Sequence, residues 1–111
     1  MTNRALVIQE SQIQSFNNEA FFAARNLVAE YCNSSAAALS ALQLVRYRCV
    51  LVSTDMKWEN PVAIICALRH AEKEFGLTPT QIVVIGKSHL FTQAEMSKLK
   101  ISAQIHSHLL K

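Results

Sequence analysis

The stretch CVLVSTDMKWENP, from Cys49 to Pro61, constrains the fold more than any other part of the chain. It begins as a continuous apolar run rich in β-branched residues, which is typical of a buried strand. It ends with Asn60, a helix-capping residue, followed by proline at the first helical position. A strand that leads directly into a helix is the repeating unit of parallel α/β sheets, so this stretch predicts an α/β fold.

The same alternation of strand and helix continues along the chain. The predicted strands span residues 5–9, 27–32, 48–53, 82–86 and 103–108, and the predicted helices span residues 12–25, 36–45, 62–75 and 92–99. Capping boxes begin two of these helices, at Ser11 with Gln14 and at Thr92 with Glu95, and Gly76 follows the third helix. The order predicts an open, doubly wound parallel sheet in one domain, 1–111, because a closed eight-stranded barrel needs about twice the length.

Composition excludes several classes of protein. Half of the 111 residues are hydrophobic and 17% are charged, which indicates a folded domain. No apolar run is long enough to cross a membrane, and the start of the chain lacks a signal-peptide layout. Two glycines are too few for a glycine-rich phosphate loop, and basic residues scattered along the sequence argue against a nucleic-acid partner. Cys32, Cys49 and Cys66 are interpreted as small core residues in a reducing, cytoplasmic compartment.

Two segments carry a resemblance to a known family. YRCVLVSTDM and ALRHAEKEFGLTPTQIVVI, with Met56 three residues after Ser53, resemble the third strand, third helix and fourth strand of response-regulator receiver domains. The resemblance extends over nearly the whole chain and is closest to the receivers of hybrid sensor histidine kinases, in the CheY-like superfamily. It implies a flavodoxin-like topology with strand order 2-1-3-4-5. Only LLK follows the last predicted strand, so the resemblance also implies a missing or truncated fifth helix.

The resemblance further implies a phosphotransfer pocket at the carboxyl ends of the strands, and most of that pocket is altered. In receivers, two acidic residues hold Mg²⁺, an aspartate accepts the phosphoryl group, and a Thr or Ser and a Lys bind its oxygens. The matching positions carry other residues except for one acidic side chain; they are Gln9, Glu10, Ser53, Gly86 and His108. A serine cannot form an acyl phosphate, and one carboxylate binds a hard cation weakly.

We therefore predict a degenerate receiver, or pseudo-receiver, that is not an enzyme and needs no cofactor. Glu10 is the remaining candidate ligand for Mg²⁺. Asp55, two residues after Ser53, is the alternative phosphoacceptor, because a shift by two residues keeps a strand side chain on the same face. These two residues leave a residual phosphoacceptor receiver open as an alternative function.

The resemblance also indicates how such a domain would act. In the family, the first helix docks the phosphodonor partner, and Phe16 belongs to that helix here. The family's dimer and output surface corresponds to Lys98, Lys100, Ile101 and Ile105. We expect phosphorylation-independent protein–protein interaction in two-component-type signal transduction. The partner would be a histidine kinase, a phosphotransfer protein, an output domain or a second copy of the chain.

A binding function of a different class remains open as the alternative. Crevices at the carboxyl ends of open α/β sheets bind ligands, so the altered pocket could hold a small ligand or nucleotide, with Lys87, Arg46 and Trp58 as its contacts. His106 and His108 share a strand face, which suits either a metal pair or an exposed sheet edge, and the edge is favoured because no acidic or Cys partner lies nearby in sequence. His70 is expected on the polar side of its helix.

Overall fold

The computed structural model describes residues 3–9, 22–54, 60–86 and 91–106. Within them, strands and helices alternate as predicted: β1 (Arg4–Ile8), β2 (Val28–Cys32), α1 (Ser35–Leu44), β3 (Cys49–Ser53), α2 (Pro61–Glu74), β4 (Gln81–Gly86), α3 (Gln93–Leu99) and β5 (Ile101–His106). Residues 22–24 are helical and agree with the end of the helix predicted at 12–25. The start of that helix, including the capping box at Ser11, lies outside the described residues.

All five strands are parallel, and their order in the sheet is β2-β1-β3-β4-β5. This order confirms the predicted flavodoxin-like sheet. The described residues end with β5 and contain no fifth helix. No helix in the described ranges has the length and apolar character needed to pass through a bilayer.

Local capping signals fix the helix boundaries where the sequence placed them. The Asn60 carboxamide accepts a hydrogen bond from the Val62 N–H at 2.8 Å, and Pro61 begins α2. Thr92 and Glu95 form the predicted capping box of α3 through bonds of 3.2 and 2.9 Å. Gly76 follows α2 at φ +67°, a left-handed conformation that favours glycine.

The sheet separates two apolar layers. The layer beneath the three helices, here called the helix-side layer, includes Leu6, Ile8, Val50, Val52, Ile64, Ile65, Leu68 and Ile82. The layer on the other face, here called the opposite layer, includes Ala5, Val7, Phe22, Cys49, Leu51 and Ile85. Because side chains alternate along a strand, the residues that continue the opposite-layer pattern beyond β1 and within β3 are Gln9 and Ser53.

β5 begins with an irregular register. Ile101 pairs with Ile82 whereas Ala103 pairs with Val83, so Ser102 is an extra residue opposite this step of β4. The bulge reverses the alternation, and as a result Ile101 packs in the helix-side layer while Ile105 packs against the opposite layer. The strand predicted at 103–108 therefore begins two residues earlier, at Ile101.

The three cysteines, none of which forms a disulfide, have different surroundings. Cys49 is buried, so it is the small core residue that was predicted, and burial raises the pKa of its thiol. Cys32 is half-buried and packs against the helix-side layer. Cys66 is exposed on α2, so its prediction as a core residue was wrong. The neighbouring Ile64, Ile65 and Leu68 occupy the inward stripe of that helix.

A buried tyrosine ties the start of β3 to the edge strand β2. The Tyr47 hydroxyl donates a hydrogen bond to Glu30 Oε1 at 2.7 Å, and Glu30 Oε2 lies 3.1 Å from Arg4 Nη1. Burial, followed by the bond to Glu30, raises the pKa of Tyr47 from its ordinary value of 10.0 to about 12. The native state thus favours the neutral hydroxyl.

Replacing Tyr47 by phenylalanine should lower the free energy of unfolding by about 1 kcal/mol at pH 8, because one buried hydrogen bond is lost. A raised pKa makes the stabilising contribution complete below pH 10.0 and lost as pH rises towards about 12. Urea denaturation across this range should therefore show the difference between wild type and Tyr47→Phe shrinking. Tyr31→Phe, at an exposed position on β2, is the matched control; a constant difference across the range would contradict the linkage.

Candidate site at the carboxyl ends of the strands

The sheet register brings together three of the positions predicted from the receiver resemblance. Ile8 pairs with Val52, so Gln9 follows β1 at the level of Ser53 on β3. Ser53 in turn pairs with Ile85, next to Gly86 at the end of β4. Gln9, Ser53 and Gly86 thus lie at one end of three adjacent strands, β1, β3 and β4. Glu10, Asp55 and His108 lie outside the described residues.

This end of the sheet is buried and uncharged in the described part of the chain. Gln9 and Ser53 are each 3% exposed, and neither carries a charge. The Gln9 N–H donates to the Cys32 carbonyl at 3.0 Å, while its side-chain Oε1 accepts no hydrogen bond among the described residues. Next to Ser53, Thr54 donates its N–H to the Ile85 carbonyl at 2.8 Å. Backbone bonds therefore connect the strand ends around two neutral side chains.

The described residues at this end of the sheet are a poor donor set for the Mg²⁺ ion that the receiver resemblance implies here. Mg²⁺ is bound in proteins through carboxylates and phosphate oxygens, in near-octahedral geometry. The described donors here are an amide oxygen on Gln9 and a hydroxyl on Ser53, and the described ranges contain no cluster of three His, Cys, Asp or Glu side chains. Glu10, the candidate metal ligand, lies outside those ranges.

Only some of the residues predicted to form an interaction surface are exposed. Lys98 and Lys100 are exposed, and Ile105 is half-buried. Ile101 is 7% exposed and belongs to the helix-side layer, so its assignment to the surface was wrong. The cause is the bulge at Ser102, which turns Ile101 to the face opposite to that of Ile105. Phe16 lies outside the described residues.

Other residues considered in the sequence also receive positions. Arg46 was expected to contact a ligand in the pocket beside Ser53, and this was wrong. It precedes β3 and therefore lies at the amino-terminal end of the sheet, away from Ser53. Lys87 and Trp58 lie outside the described ranges. His70 is exposed, as predicted, and its Nε2 lies 3.5 Å from Glu74. His106 is in β5, where only its backbone is described.

An ion pair that the sequence did not single out, between the half-buried Arg69 and the buried Glu72, joins α2 to the strand starts. Arg69 Nη1 donates to Glu72 Oε1 at 2.8 Å and to the Thr80 carbonyl at 2.8 Å. Its Nε and Nη2 donate to the carbonyls of Leu99 and Lys100 at 3.1 and 2.7 Å. Glu72 Oε2 accepts from the Thr80 N–H at 2.6 Å. This Arg69–Glu72 clamp thus fastens α2 to the segment before β4 and to the junction of α3 and β5.

A pair of hydrogen bonds from a glutamine side chain, which the sequence also did not single out, joins β5 to the start of α3. Gln104 Oε1 accepts a hydrogen bond from the Phe91 N–H at 2.8 Å, and its Nε2 donates to the Phe91 carbonyl at 3.0 Å. The only sequence signals for these contacts were an Arg and a Glu spaced by three on a helix, and a glutamine within an apolar strand. Neither pattern specifies a distant partner.

Comparison with known proteins supports the fold. No family model matches the chain, and no curated protein matches it. Solved structures do match: a CheY-like receiver domain from Methylobacillus flagellatus has a TM-score of 0.70 at 19% identity, covering 96% of this chain and 86% of that one. A response regulator receiver protein from Pseudomonas putida has a TM-score of 0.73 at 17% identity, covering 97% and 88%.

A third neighbour comes from a histidine kinase. The receiver domain of an Arabidopsis thaliana histidine kinase has a TM-score of 0.68 at 15% identity, covering 96% of this chain and 82% of that one. With the observed strand order, these likenesses show that the chain has the fold of response-regulator receiver domains.

Proposed function

We propose that this domain is a pseudo-receiver that acts in two-component-type signal transduction by binding other proteins, without accepting a phosphoryl group. The observation that carries the proposal is Ser53, a buried hydroxyl at the end of β3, where receivers have their acceptor aspartate. An ester formed on a serine hydroxyl needs a general base to activate the oxygen. Among the described residues at this end of the sheet, Gln9, Thr54 and Gly86 offer no such base.

The charge balance of the site supports the same reading. Phosphoryl transfer to a carboxylate depends on a metal ion to neutralise developing negative charge. Gln9 replaces one of the carboxylates that would hold the ion, and Gly86 has no hydroxyl to bind a phosphoryl oxygen. The scaffold is preserved while these groups are changed. A domain of this kind would act through its surface, with a kinase, a phosphotransfer protein, an output domain or a second copy as the partner.

Incubation with acetyl phosphate and Mg²⁺ tests the proposal. Intact-mass measurement should show no phosphoryl adduct on the protein, because the acceptor and the metal-binding charge are changed. A receiver with an intact acceptor aspartate, treated in parallel, must gain one phosphoryl group. An adduct on this chain that disappears in Asp55→Asn would contradict the proposal and support the residual phosphoacceptor, and an adduct that disappears in Ser53→Ala would contradict it as well.

One observation supports ligand binding at the same end of the sheet as a second candidate function. Gln9 Oε1 is a buried acceptor without a hydrogen bond from the described residues, and such acceptors are costly unless a donor reaches them. A small ligand with an N–H or O–H group would supply the donor. A thermal-shift screen tests this, because a ligand of the native state raises the melting temperature, and Gln9→Leu should abolish the shift.

A further inference from the structure

The fold gathers basic residues that are scattered in the sequence. Each parallel strand begins at the same end of the sheet, and helices return the chain to that end. Residues that precede or begin strands therefore meet there, as do residues at the ends of α2 and α3. At this amino-terminal end lie Arg4, Arg25, Arg46, Arg48, Lys73 and Lys100. The candidate site described above lies at the other end of the sheet.

A pocket of about 340 Å³ opens at this basic end, between the end of α2, the segment before β4 and the end of α3. Its charged lining residues are Arg69, Glu72, Lys73, Lys98 and Lys100, and its apolar lining residues are Leu77, Pro79 and Leu99. We call it the basic pocket. Its volume is within the range of sites that bind small organic ligands.

The charges of the basic pocket do not cancel. Arg69 and Glu72 neutralise each other within the Arg69–Glu72 clamp, which leaves three lysines and a formal charge of +3. All three lysines are exposed, and no ion pair joins their ammonium groups to a carboxylate in the described ranges. Three exposed lysines that line one pocket, without ion pairs in the described ranges, favour an anion with several negative oxygens.

The frame that carries two of the lysines is fixed. Arg69 holds the carbonyls of Leu99 and Lys100, and the Lys100 N–H bonds to carbonyls in the last turn of α3. Lys100 has φ +57° in the left-handed region, where glycine would be less strained. A lysine at a glycine-favouring position is a local cost to the fold, and such residues often belong to functional sites.

We propose that the basic pocket binds a nucleotide carrying two or more phosphate groups. The three ammonium groups would contact the phosphates, and the apolar surface of Leu77, Pro79 and Leu99 would contact the base or sugar. The pocket combines dense positive charge with an apolar wall, which suits an anion that has an apolar part better than a bare inorganic anion. This inference goes beyond the proposed function, because it concerns the other end of the domain.

Calorimetric titration of the full chain with ATP, in low-salt buffer without metal, tests the proposal. ATP should bind with a Kd of about 1 mM or tighter, adenosine should bind much more weakly, and inorganic triphosphate should bind more weakly than ATP. Added salt should weaken the binding of ATP. The absence of ATP binding, or adenosine or triphosphate binding as tightly as ATP, would overturn the proposal.

Variants of the pocket lysines show whether a loss of ATP binding comes from the pocket itself or from a less stable fold. Lys98→Gln combined with Lys100→Gly should weaken ATP binding by at least about tenfold. Lys100→Gly alone should weaken it while leaving the melting temperature unchanged or higher, since glycine relieves the positive φ. Lys100→Arg should retain binding, and Arg46→Gln, at an exposed basic residue outside the pocket, should bind like wild type.

Binding that survives the double lysine variant would overturn the proposal, and if Gln9→Leu abolished it, the site would be the second candidate at the other end of the sheet. Tighter binding of a polyglutamate peptide than of ATP would also overturn it, in favour of an acidic protein partner. The phosphodonor assay on Ser53 and Asp55 has no bearing on these outcomes, so the two proposals fail independently.

Discussion

Replacing Arg69 by methionine should lower the free energy of unfolding by about 3 kcal/mol. This value is at the lower end of the losses found when one partner of a buried ion pair is removed. Glu72 is 4% exposed and would lose its counter-charge, keeping only the bond from the Thr80 N–H. The carbonyls of Leu99, Lys100 and Thr80 would each lose a donor. Methionine preserves most of the apolar stem, so the loss would come mainly from polar groups.

Urea denaturation at neutral pH measures the effect, and Arg46→Met is the matched control. Arg46 is exposed, with no side-chain hydrogen bond or ion pair in the described part of the chain, so its replacement should change the free energy of unfolding by less than about 0.5 kcal/mol. A thermal scan should show a drop of roughly 15 °C for Arg69→Met. If the two variants were equally stable, the clamp would contribute nothing beyond an exposed arginine.

A double variant identifies the source of the loss. If the uncompensated carboxylate dominates, Arg69→Met with Glu72→Gln should be more stable than Arg69→Met alone, because the amide carries no charge. The coupling between the two sites should be about 1–3 kcal/mol, as expected for residues in direct contact. Additive effects of the two substitutions would instead indicate that the backbone carbonyls, and not Glu72, account for the loss.

Introducing an aspartate at position 53 should destabilise the fold at neutral pH by about 2 kcal/mol relative to Ser53→Asn. Position 53 is 3% exposed, and its described neighbours at the strand ends, Gln9, Thr54 and Gly86, supply no positive charge. Burial should therefore raise the pKa of the new carboxyl group above its unfolded value. Asparagine has nearly the same shape without the charge, so the comparison isolates the charge.

The pH dependence of this variant has a definite sign. A raised pKa favours the protonated form in the native state, so the penalty should be absent below the unfolded pKa of about 3.9 and should grow as pH rises through the folded pKa. Urea denaturation of both variants between acid and neutral pH measures it. A pH-independent difference would show that the carboxyl group is not desolvated in the fold.

Measuring the stability of the same two variants with Mg²⁺ tests whether the new carboxylate creates a cation site. Millimolar Mg²⁺ should leave the stability of Ser53→Asp unchanged, since Gln9 is neutral and the metal-binding charge is low. Recovery of stability with Mg²⁺, absent in Ser53→Asn, would mean that one introduced carboxylate rebuilds a cation site. The residue at position 53 alone would then account for the weak binding of Mg²⁺.

Local signals in the sequence predicted the fold well. The caps at Asn60, Thr92 and Gly76 act within a few residues, so the sequence contains all the information that positions them. The buried strands at β1, β3 and β4 are continuous apolar runs, and alternation with helices leaves few topologies. The meeting of Gln9, Ser53 and Gly86 was implied by the receiver resemblance, and parallel strands that end at one edge account for it.

The errors concern features that depend on distant partners. Arg46 was assigned to a pocket at the wrong end of the sheet, because its charge was considered without its position before a strand. Ile101 was placed on the surface by its correspondence to the family's output surface, and that correspondence did not include the extra residue at Ser102. The role of Arg69 depends on carbonyls 11 to 31 residues away along the chain, which no helical spacing can indicate.

The bulge at Ser102 is the one step of β5 where the strand can lose a residue without a change of layer. Because Ser102 is the extra residue, its deletion would leave Ile101 opposite Ile82 and Ala103 opposite Val83, and each side chain would keep its layer. The loss or gain of one residue elsewhere in β5 would instead move every side chain beyond it to the other layer. Homologous sequences aligned through this point without a gap would pair inward residues with outward ones, and positions assigned near the end of β5 would be displaced by one.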